Sequence, residues 1–198
     1  YGGGTTVNSG VLSISADTNL GAVPGSAATN ITLAGGTLRS TTNDFTLNAN
    51  RSISLGTGGG TFDSNTSGKT LTVAGAVDGS VADTNALTLS GAGAITFAGK
   101  IGDSATPSTI TRTVGMGLTI FQDDVKVGTG GAAFDNSVTL DGLTFTSIGA
   151  VRFGSDSNDD LTVSTTTTGI TTTTGGITLN ADTDGQQDLT LMSAGGIT

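Results

Sequence analysis

The stretch Leu87-Thr-Leu-Ser-Gly-Ala-Gly-Ala-Ile-Thr-Phe97 decides how this chain reads. Two apolar-Thr-apolar triplets, Leu87-Thr88-Leu89 and Ile95-Thr96-Phe97, flank a corner of small residues, Ser90-Gly-Ala-Gly93. Alternation with period two puts the first and third side chains on one face and the threonine on the other. The unit recurs toward the N-terminus as Leu71-Thr-Val73, Ile53-Ser-Leu55, Phe45-Thr-Leu47, Ile31-Thr-Leu33 and Leu12-Ser-Ile14. Toward the C-terminus it returns as Leu118-Thr-Ile120, Val138-Thr-Leu140, Leu143-Thr-Phe145, Leu161-Thr-Val163, Ile177-Thr-Leu179 and Leu189-Thr-Leu191. Between the triplets lie Gly, Asn, Asp, Ala and Ser, residues suited to tight turns, as in Gly56-Thr-Gly-Gly-Gly60 and Gly128-Thr-Gly-Gly131.

Segments this short bury too little for a sandwich, whose strands run about 5–6 residues. They suit a parallel β-solenoid, in which each coil stacks on the last around a column of side chains. Phe45, Leu71, Leu87, Leu118, Val138, Leu161 and Leu189 read as equivalent starts, with spacings that drift as variable corner loops would make them. At roughly 20–25 residues per coil and ~4.8 Å per stacked strand, the chain makes about 8–10 coils, a rod of about 40 Å. The expected fold is all-β, a right-handed parallel β-helix continuous over residues 1–198. Leu71, Leu89, Ile95 and Leu140 are expected to face inward in columns, and Phe45, Phe97, Phe121, Phe145 and Phe153 to stack inside the coils.

Composition supports this and removes several functions. The 198 residues include 33 Gly and 39 Thr, and all 16 acidic residues are Asp. Glu is missing and Lys is down to three, so strong helix formers are scarce. With no His and no Cys, histidine- or thiolate-based catalysis, disulfides and thiolate zinc sites are excluded. A net charge of -9 gives no footprint for nucleic acid, which needs clustered Lys and Arg. No apolar run approaches the ~20 residues of a membrane helix. Starting at Tyr1 without an initiator Met or basic leader, and stopping at Gly195-Gly-Ile-Thr198 within a strand-like unit, the chain reads as a fragment of a larger repeat protein.

The opening Tyr1-Gly-Gly-Gly-Thr-Thr-Val-Asn-Ser-Gly-Val-Leu12 resembles the autotransporter-associated β-strand repeat of bacterial autotransporter passengers. Leu20-Gly21, Pro24 and Ile31-Thr-Leu-Ala-Gly-Gly-Thr-Leu38 continue that resemblance, which covers about residues 1–38. Later units such as Gly175-Gly-Ile-Thr-Leu-Asn180 resemble filamentous-haemagglutinin repeats. The resemblance implies a β-helix that is secreted or displayed on the bacterial cell surface, exported by a barrel outside this chain.

Three features are candidates for chemistry. Asp123-Asp124, Asp156-Ser-Asn158-Asp159-Asp160 and Asp182-Thr-Asp184 with Asp188 are carboxylate clusters that could serve a glycosidase as acid and base. They also suit corners, where Asp is a favoured turn residue, and the corner reading is preferred. Asp156, Asn158 and Asp160 alternate as at the start of an EF-hand, but Leu161 stands where Gly is required and Thr167 where the bidentate Glu belongs. The runs Thr165–Thr168 and Thr171–Thr174 suggest a flat threonine face of the ice-binding kind, yet lie too close together to belong to successive coils.

The expected function is therefore structural and adhesive, without catalytic, cofactor-binding or metal residues, and not enzymatic. Alternatives are an extracellular filament subunit assembled by end-to-end stacking, and a carbohydrate-active β-helix enzyme. Expected partners are further copies at the coil ends and a host or cell-surface ligand, with no nucleic acid and no membrane segment.

Overall fold

The computed structural model describes residues 2–112, 117–165, 168–185 and 188–198. The strands stack in parallel on three faces. Face A carries Thr5–Val7, Ala28–Leu33, Arg51–Leu55 and Val77–Gly79, then Val125–Val127, Thr144–Ser147, Thr168–Thr172 and Leu189–Ser193. Ile101 joins the two halves of this face by single bridges to Val77 and Val125. Face B runs through Val11–Ile14, Thr37–Ser40, Gly60–Ser64, Leu87–Ser90, Thr109–Arg112, Gly131–Phe134, Val151–Phe153 and Ile177–Leu179. Face C holds Phe45–Leu47, Thr70–Val73, Ala94–Phe97, Thr119–Phe121, Val138–Asp141, Asp160–Thr165 and Asp182–Gly185.

The fold is thus the expected all-β parallel solenoid, with about seven coils carrying all three faces rather than 8–10. The coils are numbered from Thr5; coils 2 to 8 are complete. In coil 1 a 3-10 turn, Asp17–Leu20, takes the place of a face C strand, and its Leu20 is buried. No helix among the described residues is long and apolar enough to cross a membrane.

The equivalent positions differ from those read off the triplets. On face C the register runs Phe45, Leu71, Ile95, Thr119, Val138, Leu161 and Thr183. Leu87 belongs to face B and Leu189 to face A, because a coil carries one or two triplets and the sequence does not say which face a triplet occupies.

The core is a set of vertical columns. Leu71, Leu89, Ile95 and Leu140 are fully buried, as expected. Leu12, Leu38, Phe62, Leu89, Arg112, Phe134, Phe153 and Leu179 form one column on face B. Phe97, Phe121, Phe145 and Phe153 stack inside as expected, and Phe62 and Phe134 join them. Phe97 lies parallel to Phe121 at 5.5 Å, and Phe134 to Phe153 at 5.5 Å, with edge-on contacts between the pairs. Such ring pairs add about 0.5–1.5 kcal/mol each beyond their buried area. Phe45 is only half-buried.

One triplet is out of phase. In Leu118-Thr119-Ile120 the threonine points inward, fully buried, and Ile120 points outward into the column between Thr96 and Thr139. A one-residue shift exchanges the faces of every side chain in a strand, so this coil has adopted the opposite phase to its twelve relatives' pattern.

Candidate functional site

Several aspartates at or near corners reach the backbone of a neighbouring coil with their short side chains. Asp44 accepts from the Thr70 N–H at 2.7 Å, Asp78 from Ser104 at 3.0 Å and Asp124 from Thr144 at 3.0 Å. Asp83, in the left-handed region at φ 58, spans further and accepts from the Thr129 N–H at 2.7 Å and its hydroxyl at 2.9 Å. A strand ladder cannot satisfy an amide that has already turned the corner, and a carboxylate one coil away does. Glu, one methylene longer, would pay more side-chain entropy for the same bond. Each of the five ion pairs among the described residues likewise joins different coils: Arg39–Asp63, Arg51–Asp17, Lys69–Asp44, Lys126–Asp103 and Arg152–Asp135. The Thr70 amide and the Lys69 ammonium hold Asp44 below the ordinary carboxylate range, and Lys126 with Lys100 does the same for Asp103.

The carboxylate clusters singled out in the sequence are dispersed, Asp123, Asp124, Asp156 and Asp159 at corners and Asp160, Asp182 and Asp184 on face C strands. Asp123 accepts from the Asp124 N–H at 2.8 Å. Asp156 accepts from the Asn158 N–H at 2.8 Å, and Asp159 from the Ser155 N–H at 2.8 Å and hydroxyl at 3.0 Å, closing the corner between faces B and C. Asp160 stands opposite Asp182 in the register, and Asp184 opposite Thr162.

A shallow groove of about 560 Å³ lies over face C in coils 5 to 7. Ser137, Thr139 and Thr162 line it together with Asn158, Asp159 and Asp160 of the corner. It therefore gathers one of the three acidic clusters; Asp123, Asp124, Asp182, Asp184 and Asp188 do not line it. The described residues hold no group of three or more metal-ligating side chains.

Within the second threonine run, the described side chains do not all lie on one flat outer face. Thr166 and Thr167 lie outside the described residues. Thr172 points inward, donating to the Gly175 carbonyl at 2.6 Å, while Thr174 donates to the Ile148 carbonyl at 2.6 Å. Outward threonine ladders exist elsewhere: Thr37, Thr61, Thr88 and Thr111 on face B, and Thr46, Thr72, Thr96, Thr139 and Thr162 on face C, broken by Ile120. On face C each is the middle residue of an apolar-Thr-apolar triplet, whereas on face B only Thr88 is.

Two buried arginines are functional in a structural sense and were not singled out in the sequence. Arg51 is fully buried at the N-terminal end, and Arg112 is 1% exposed in the face B column. Both sit at inward positions of strands that otherwise read as apolar, so hydrophobic patterning passes over them. Comparison with known proteins gives no match to a family model, to a curated protein or to a solved structure.

Proposed function

We propose that this chain is a structural and adhesive β-solenoid segment of a secreted or surface-displayed bacterial protein, of the autotransporter-passenger or adhesin kind, acting without catalysis. The observation that carries the reading is the use of charge. Asp44, Asp63, Asp78, Asp124 and Asp135 are engaged with backbone amides or with cations on the next coil, where general acid–base chemistry would need free carboxylates. Charge spent between coils stiffens a rod, and a stiff rod suits presentation of corner loops away from a cell surface. The opening repeat, similar to that of autotransporter passengers, supports the surface location.

Surface retention tests the adhesive part. Beads coated with the chain are expected to retain cells or matrix material, and Asp123→Asn, Asp124→Asn, Asp159→Asn and Asp160→Asn together should leave retention unchanged. Incubation with a panel of acidic and neutral polysaccharides tests the rest. No reducing ends and no unsaturated products are expected. Product formation abolished by the same four substitutions would replace this reading by the carbohydrate-active one.

A further inference from the structure

Coil 5 contains a conflict between pattern and structure. By pattern, Leu118 and Ile120 belong inside and Thr119 outside; in the fold Thr119 is fully buried and Ile120 faces out. The reason lies one corner away. Arg112 enters the core from face B between Leu89 and Phe134. Its guanidinium is turned to the corner between faces B and C. There Nη1 donates to the Leu118 carbonyl at 3.0 Å and the Thr119 hydroxyl at 3.1 Å. Nη2 donates to the carbonyls of Gly91 at 3.1 Å and Gly93 at 2.8 Å, on the coil below.

The seat is built of glycines. A Cβ on Gly117 would overlap the guanidinium and the Gly93 carbonyl oxygen. Gly91 holds φ +92, and a Cβ there would overlap the Ser64 carbonyl and press on the Asp63 carboxylate. That carboxylate is bound on its far side by Arg39 at 2.6 Å. It is the charge that favours the Arg112 cation against the burial that disfavours it. Arg39 on coil 2 is thus bonded to Asp63 on coil 3, and Asp63 acts on Arg112 on coil 5 through space, with the Gly91 carbonyl on coil 4 bonded to the guanidinium.

We propose that Arg112 selects the register of the Thr119–Phe121 strand, holding Thr119 inward as a hydrogen-bond acceptor and so preventing the one-residue slip that the Leu118-Thr119-Ile120 pattern favours. A guanidinium buried in an apolar column has to be bonded, and in the slipped strand the Thr119 hydroxyl would turn to the outside and leave it. Buried polar groups that penalise the competing arrangement more than they stabilise the chosen one are a known device for specifying register. The same phase puts Phe121 against Phe97, so burial of the ring works in the same direction.

The chain has no cysteine, so a thiol reporter is read without background. Ile120→Cys is labelled by a soluble thiol reagent beside a second outward reporter, Thr139→Cys, in the otherwise unchanged chain and with Arg112→Met or Arg112→Gln. With Arg112 present both reporters should label at similar rates. Arg112→Met should slow labelling at Ile120→Cys several-fold, as the residue turns inward, and leave Thr139→Cys unchanged. Arg112→Gln, whose amide still donates, should fall between. Unchanged labelling of Ile120→Cys in a cooperatively folded Arg112→Met chain overturns the proposal. So does failure of both variants to fold, since Arg112 would then be sustaining the fold at large.

Discussion

Arg51 and Arg112 are buried alike, yet the two ends of the comparison are built differently. Arg51 meets a carboxylate: Nε donates to Asp17 at 2.8 Å. Its other nitrogens donate to the Gly21 carbonyl at 2.6 Å, the Leu20 carbonyl at 3.3 Å and the Asn30 side chain. It binds the 3-10 turn Asp17–Leu20 across the open third side of coil 1, and Asp17 also accepts from the Asn48 N–H at 3.1 Å. Arg112 meets only neutral oxygens, and its Nε has no hydrogen-bond partner. Burial lowers Arg112 well below the ordinary arginine range, to about 10, with Asp63 pulling the other way from a distance. A buried cation with its counterion closes the third side of coil 1; one without a counterion in contact is tolerated only where its geometry is useful.

The largest effect expected is on core columns. Leu140→Asp buries a carboxylate among apolar neighbours and should cost about 3–5 kcal/mol, read from urea unfolding. Leu89→Asp should cost about 1–2 kcal/mol less, because its register neighbour is Arg112 and the new carboxylate supplies the counterion that site lacks. Equal losses at the two positions would mean that Arg112 is already fully compensated.

Arg51→Met comes next. It strands Asp17 and frees the turn that covers coil 1, and should lower stability by about 3–5 kcal/mol. Arg112→Met, by contrast, removes a desolvated charge and continues an apolar column, and should change stability by about 1 kcal/mol or less. A comparable loss for both variants would erase the distinction between the two seats.

The pH dependence sharpens the same contrast. Because the folded-state value of Arg112 lies below the unfolded one, the unfolded chain holds more protons in the window that opens at about pH 10. The burial penalty is fully present below that window and shrinks as pH rises through it. The urea midpoint of the unaltered chain should therefore gain on that of Arg112→Met between about pH 9 and about pH 11. A constant difference would place the guanidinium in a better-solvated site than its geometry indicates.

The smallest effect belongs to the exposed corners. Asp44 is held low by an amide and a lysine, so its contribution is present above the unfolded value of 3.8 and fades as pH falls through the lower folded one. Asp44→Asn should leave the urea midpoint at neutral pH nearly unchanged and remove that part of the acid dependence.

What could be read from the sequence follows from what periodicity encodes. The inward columns of Leu71, Leu89, Ile95 and Leu140 were legible because alternation marks a face whichever coil it belongs to. The assignment of triplets to faces was not, since Leu87-Thr-Leu89 on face B and Ile95-Thr-Phe97 on face C are chemically the same unit. Thr119 was misread for a deeper reason: its phase is set by Arg112, whose partners lie on two coils. The corner role of Asp was legible as a residue preference. Its partners 20 to 46 residues away were not, because corner lengths vary.

The central claim, that the aspartates hold coil to coil, is tested most directly by amide hydrogen exchange at Thr70, Ser104, Thr129 and Thr144. These amides lie at corners and donate to Asp44, Asp78, Asp83 and Asp124. Each should exchange slowly, and Asp→Ala at its own partner should release that amide while leaving the other three protected. Exchange at the rate of free surface amides in the unaltered chain would contradict the account.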